Sequence, residues 1–142
     1  MNHYKNLDIY TVAFDLSIRI YRFNLAMPGR ALPKQSIRLR HISLRIKDII
    51  AEGYSSGKQE EITRFLRQAE SMCREINGLL AKIKDRRYRE NEVTALAKSY
   101  SALANKLRKR ILEAEEEAGC LSLPFPVEEI TVEEMPVEKL AV

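Results

Sequence analysis

The chain has no tryptophan, two cysteines and two histidines in 142 residues. Each scarcity removes a class of chemistry. Neither Cys73 nor Cys120 belongs to a C-x-x-C pair, so zinc knuckles and dithiol redox motifs are excluded, and both thiols are expected to be reduced. His3 and His41 leave little for hydrolytic mechanisms, which draw on imidazole or a metal. Some helical-bundle ribonucleases place a histidine four to six residues after an arginine. Here Arg38 and Arg40 stand too close to His41, and no arginine precedes His3. Gly53 and Gly57 flank Tyr-Ser-Ser without the Gly-Lys-Ser/Thr of a phosphate loop, and no Gly-x-Ser-x-Gly occurs. No carboxylate pair stands out as acid and base, because Glu60 and Glu61 open a helix, where negative charge is favoured anyway. A non-catalytic chain without metal, cofactor or small-molecule substrate is the expectation. No apolar run approaches the ~20 residues that span a bilayer. The opening Met1–Lys5 lacks the apolar stretch of a secretory signal. A cytoplasmic protein with no membrane partner is expected.

Charge is plentiful and unevenly placed. Residues 1–112 hold 23 Lys and Arg against 11 Asp and Glu, a balance of +12. Residues 113–142 hold one Lys and nine Glu, a balance of −8. A body of +12 calls for a polyanionic partner.

Four segments carry helical periodicity. In the first, about Leu7 to Ala26, the polar residues Asp8, Asp15, Arg19 and Arg22 form one narrow stripe. The rest is almost wholly apolar, an arc wider than one core-facing stripe needs. That surplus points to contact with another subunit, with Leu7, Phe14 and Ile18 at the interface. The second segment opens at Pro33, a favourable first-turn residue, and is expected to stop at Gly53. Its apolar positions are Ile37, Leu39, Ile42, Leu44, Ile46, Ile49 and Ile50. The third runs from about Lys58 to Lys84, with Ser56 and Gln59 suited to a capping box. Its three-and-four apolar spacing includes Cys73, which therefore reads as core. The fourth runs from about Glu90 to Ala118, with Gly119 as its stop. Four helices with short loops predict an all-α, antiparallel up-down-up-down four-helix bundle over residues 1–118. Residues 119–142 form an acidic, Pro-containing segment, expected to be a flexible tail that competes with nucleic acid for the basic faces.

The basic residues are the candidate site. On the second helix Lys34, Arg38, His41 and Arg45 align along one face, with Arg40 and Lys47 in a second row. The loop after the third helix carries Arg86, Arg87 and Arg89 around Tyr88, an aromatic suited to stacking on an unpaired base. The fourth helix carries Lys106, Arg108, Lys109 and Arg110. Such clusters contact phosphates with little sequence readout. Part of the charge is expected to pair locally at i, i+4, Glu60 with Arg64, Glu70 with Arg74 and Lys109 with Glu113.

The run Leu7-Asp8-Ile9-Tyr10-Thr11-Val12-Ala13-Phe14-Asp15-Leu16 resembles the first helix of the four-helix bundle proteins encoded in 23S rRNA intervening sequences. It resembles still more their relatives, the accessory variability proteins of diversity-generating retroelements, in the Leu-x-Ile-Tyr and aromatic-Asp-Leu pattern. Ile50-Ala51-Glu52-Gly53-Tyr54 is similar to the helix ending of the intervening-sequence group. Arg64-Phe65-Leu66-Arg67 after Lys58-Gln59-Glu60-Glu61 is similar to the start of that group's third helix. The resemblance spans about residues 4–115. It implies a homopentameric ring, a basic surface associated with RNA or RNA–DNA, and no catalysis. In the retroelement branch it also implies a reverse transcriptase and its template RNA as partners. Where the intervening-sequence group has Ser-Ile-Pro-x-Asn, this chain has Arg45-Ile46-Lys47-Asp48-Ile49, which favours the retroelement branch. The alternative is an intervening-sequence protein with a structural or protein-interaction role and no reverse transcriptase.

Overall fold

The computed structural model describes residues 7–26, 33–84 and 89–122. They form four helices, α1 (Asp8–Ala26), α2 (Pro33–Ser55), α3 (Gln59–Lys84) and α4 (Glu90–Ser122). No strand occurs among the described residues. Arg86, Arg87, Tyr88 and the acidic segment beyond Ser122 lie outside them. The chain divides into two units, Met1–Leu112 and Glu113–Val142, and the charge changes sign at the same place. Within the second unit, residues 113–122 are helical.

The first unit is a four-helix bundle closed by an aliphatic core. Ile9, Leu16, Ile20 and Phe23 of α1 are buried with Leu39, Ile42, Ile46, Ile49 and Ile50 of α2. Leu66, Cys73, Ile76, Leu80 and Ile83 of α3 join Val93, Leu96, Tyr100, Leu103 and Leu107 of α4 in the same cluster. The spacing of three and four in each helix makes one continuous apolar stripe, so all four stripes meet in one core. Polar side chains tie the helices at the rim. Asn24 donates to the Ser36 carbonyl at 2.9 Å and accepts from Ser36 Oγ at 3.2 Å, linking α1 to α2. Arg38 of α2 meets Glu75 of α3 at 2.7 Å. Asn77 of α3 donates to Ser101 Oγ of α4 at 2.9 Å. Asp8 of α1 receives Lys106 and Arg110 of α4 at 3.3 and 2.9 Å.

Two details depart from the sequence reading. Gly53 does not stop α2, which runs two residues further. It is buried where α2 approaches α3, and a Cβ there would lie 2.9 Å from Phe65 Cβ. Gly53 is therefore a close-approach residue, while Gly57, at φ 71°, takes the left-handed turn conformation. Ser56 sits in the turn between α2 and α3. Its hydroxyl donates to the Gly53 carbonyl at 2.7 Å and accepts from the Lys58 amide at 3.2 Å, stitching the end of α2 to the start of α3. Gly119 does not stop α4, which continues to Ser122. One glycine costs a helix about 1 kcal/mol without ending it, and the first residue that cannot continue the helix is Pro124.

Candidate nucleic-acid interface

The basic residues divide into those used inside the bundle and those left over. On α2, Lys34, Arg40 and Arg45 are exposed and have no ion-pair partner among the described residues. Arg38 is exposed but bonded to Glu75, and the half-buried Lys47 bonds its neighbour Asp48 at 3.0 Å. The α2 row is thus real as a row but less positive than its residue types suggest. At the start of α4, Arg89 pairs with Glu92 and adopts φ 46°, a left-handed conformation rare outside glycine.

Most of the α4 cluster is engaged. Lys106 and Arg110 share the Asp8 carboxylate, and Arg108 reaches Glu70 Oε2 through Nε at 3.0 Å and Nη2 at 2.7 Å. Only Lys109 of that cluster has no partner among the described residues, so the pair expected with Glu113 does not form. Pairing does not erase the charge, because in each case two cations share one carboxylate and a net +1 remains. Burial raises the Asp8 pKa, but the Lys106 hydrogen bond and the Arg110 charge outweigh it and hold the carboxyl below its usual value. The stability that this tie contributes is therefore complete above the ordinary carboxylate value of 3.8 and is lost as pH falls through the lowered one.

Glu70 is the charged residue that sequence reading placed only in part. The expected i, i+4 pair with Arg74 forms, and Arg108 from α4 adds a second guanidinium on the same oxygen. Glu70 is buried, whereas Arg74 and Arg108 are well exposed. Arg64 pairs with Glu61 at i, i+3 rather than with Glu60. Burial pushes the nearby Cys73 thiol up to about 12, with the Glu70 charge adding to the effect. Cys73 is accordingly a core thiol and an inert one.

Above this cluster lies a groove between α3 and α4. One part, about 340 Å³, is lined by Glu70, Arg74, Asn77, Ser101, Asn105 and Arg108. The adjoining part, about 500 Å³, shares Asn77, Ser101 and Asn105 and adds Lys84, Thr94 and Lys98 over a floor of Leu80, Ala81, Val93 and Ala97. Sequence reading missed it, since its cations are single residues a turn or more apart on two helices.

Opposite in character is the outer surface of α1 and α2. Phe14, Tyr21 and Leu25 of α1 and Ile37 and Leu44 of α2 are 43–67% exposed. Ile37 and Leu44, two of the apolar positions of the second segment, lie outside the core. A 230 Å³ groove between the helices is lined by Phe14, Ile18, Tyr21, Arg40 and Leu44. Leu7, by contrast, packs against the core. No group of three His, Cys, Asp or Glu among the described residues is arranged to hold a metal ion. None of their helices is long and apolar enough to cross a membrane.

An all-helical bundle with a surplus of exposed cations and an uncovered apolar stripe defines the class. The family model of the 23S rRNA-intervening sequence protein matches residues 5–110, well over half of the chain, and the chain belongs to that family. No curated protein and no solved structure matches it.

Proposed function

We propose that this protein is a non-catalytic, oligomeric nucleic-acid-binding bundle of the cytoplasm. It holds RNA or RNA–DNA as an accessory to a reverse transcriptase and its template RNA in a diversity-generating retroelement. The observation that carries the nucleic-acid reading is the surplus of exposed cations on the first unit. The two largest shared ion-pair clusters still leave net positive charge, and Lys34, Arg40, Arg45 and Lys109 stand without partners among the described residues. Such a surface attracts phosphates without reading bases. The reverse transcriptase partnership rests on the Leu7–Leu16 pattern and on Arg45–Ile49 replacing the intervening-sequence motif.

The antiparallel arrangement is supported by the order of the ties: Asp8 meets Lys106 and Arg110, while Arg19 meets Ser99. The homopentameric ring is supported by the exposed apolar stripe on α1 and α2, which includes Phe14 and adjoins the half-buried Ile18.

Fluorescence anisotropy with two unrelated single-stranded 20-nucleotide RNAs tests the nucleic-acid reading. Affinities equal within about threefold, at low salt, are expected. No binding to either RNA, together with binding to polyglutamate, would overturn it in favour of a module that docks acidic protein.

A further inference from the structure

The two helices that carry the Glu70 cluster also build a channel, and its wall chemistry selects an occupant. Among the described residues, four cations line the α3/α4 groove, Arg74 and Arg108 at one end and Lys84 and Lys98 toward the other. The one carboxylate among them, Glu70, is shared by both arginines. Because Glu70 is buried and fixes both guanidiniums, their remaining N–H groups are held in place before any ligand arrives. Lys84 and Lys98 have no ion-pair partner among the described residues.

Between the charged ends run neutral polar side chains. Ser101 Oγ accepts from Asn77 Nδ2 at 2.9 Å, which leaves its own hydroxyl hydrogen to donate. Asn105, one turn further along α4, is exposed and supplies an amide. From Thr94 to Arg108 the α4 wall spans about 21 Å at 1.5 Å per residue, enough for a short run of consecutive phosphates. The floor of Leu80, Ala81, Val93 and Ala97 is apolar and contains no aromatic ring on which a base would stack. Among the described residues, cations at both ends, donors between them and no aromatic ring in the lining suit a sugar–phosphate backbone more than an apolar peptide.

We propose that the α3/α4 groove is the principal nucleic-acid site and seats the phosphate backbone of a single strand. Arg74 and Arg108 clamp one phosphate, Ser101 and Asn105 donate along the strand, and Lys84 and Lys98 take phosphates further on. This rests on the nucleic-acid reading and narrows it. The α2 row becomes a secondary contributor, since Glu75 already neutralises Arg38.

The test compares two double variants that each lower the net charge by two at exposed positions. Ser101→Glu with Asn105→Glu places carboxylates in the groove, and Lys34→Gln with Arg45→Gln strips the α2 row. Circular dichroism checks that both remain folded. At 100 mM salt the groove variant is expected to weaken binding of a 20-nucleotide single-stranded RNA at least tenfold, and the α2 variant at most threefold. The reverse order, or equal losses, would overturn the groove while leaving RNA binding in place. A parent protein that binds no RNA would overturn the nucleic-acid reading itself. A groove variant that loses polyglutamate binding but keeps RNA binding would give the groove to an acidic protein segment and overturn the proposal.

Discussion

Glu70 and Tyr100 show what single residues do in this bundle. Glu70 is buried, and its two arginine partners, Arg74 and Arg108, are exposed. Removing one arginine leaves the carboxylate with the other, whereas removing both leaves a buried charge unpaired. Arg74→Ala and Arg108→Ala are therefore each expected to cost about 1 kcal/mol in urea unfolding. The double variant should lose at least about 1 kcal/mol more than the sum of the two. Simple additivity would mean that the arginines do not share the carboxylate. Tyr100 is the opposite case, because its hydroxyl is buried with no hydrogen-bond partner among the described residues and burial raises its pKa. Tyr100→Phe removes an unpaired polar atom while keeping the ring, and should raise stability by up to about 1 kcal/mol. A loss of that size would reveal a partner for the hydroxyl. The Glu70–Arg74 half of the cluster was legible in the sequence because helical neighbours at i, i+4 meet. Arg108 was not, since a pair 38 residues apart depends on how α3 and α4 pack. Cys73 was legible as core from its place in the apolar spacing alone.

At the scale of the helices, periodicity located every element, and the misreadings fell on glycines. A glycine near a helix end serves as a terminator or as a gap for a neighbour, and only the neighbour's position decides. At Gly53 the neighbour is Phe65, and the atom that a new methyl would strike is Phe65 Cβ, which is fixed to the α3 backbone. Gly53→Ala, which would otherwise favour the helix by about 1 kcal/mol, should instead destabilise by about 1–3 kcal/mol through overpacking. Urea midpoints check this, and a stabilised variant would mean that α2 and α3 part easily at Gly53. Ile37 and Leu44 make a related point. Periodicity reports that a face is apolar, not whether its cover comes from the same chain.

For the whole molecule that uncovered face is the main structural claim beyond one chain. Phe14 and Tyr21 are 45% and 50% exposed, so changing them does little to the core. The parent is expected to scatter light as a species of about 82 kDa, five times the 16.4 kDa chain. Phe14→Glu with Tyr21→Glu should shift it to a folded monomer, while an unchanged mass would remove the stripe from the interface. The positive balance of the first unit was legible from residue counts, but its division into engaged and free cations was not, because pairs such as Asp8 with Arg110 join distant parts of the chain. The central claim, a surface that holds phosphates without reading sequence, is tested most directly by the salt dependence of RNA affinity. In a plot of log affinity against log salt concentration, each phosphate contact on a single strand contributes a slope of about −0.7. For the three phosphates that Arg74 with Arg108, Lys84 and Lys98 contact in the α3/α4 groove, the account predicts a slope of about −2, the same for unrelated sequences. An affinity that does not fall with salt, or a slope that changes with base sequence, would contradict it.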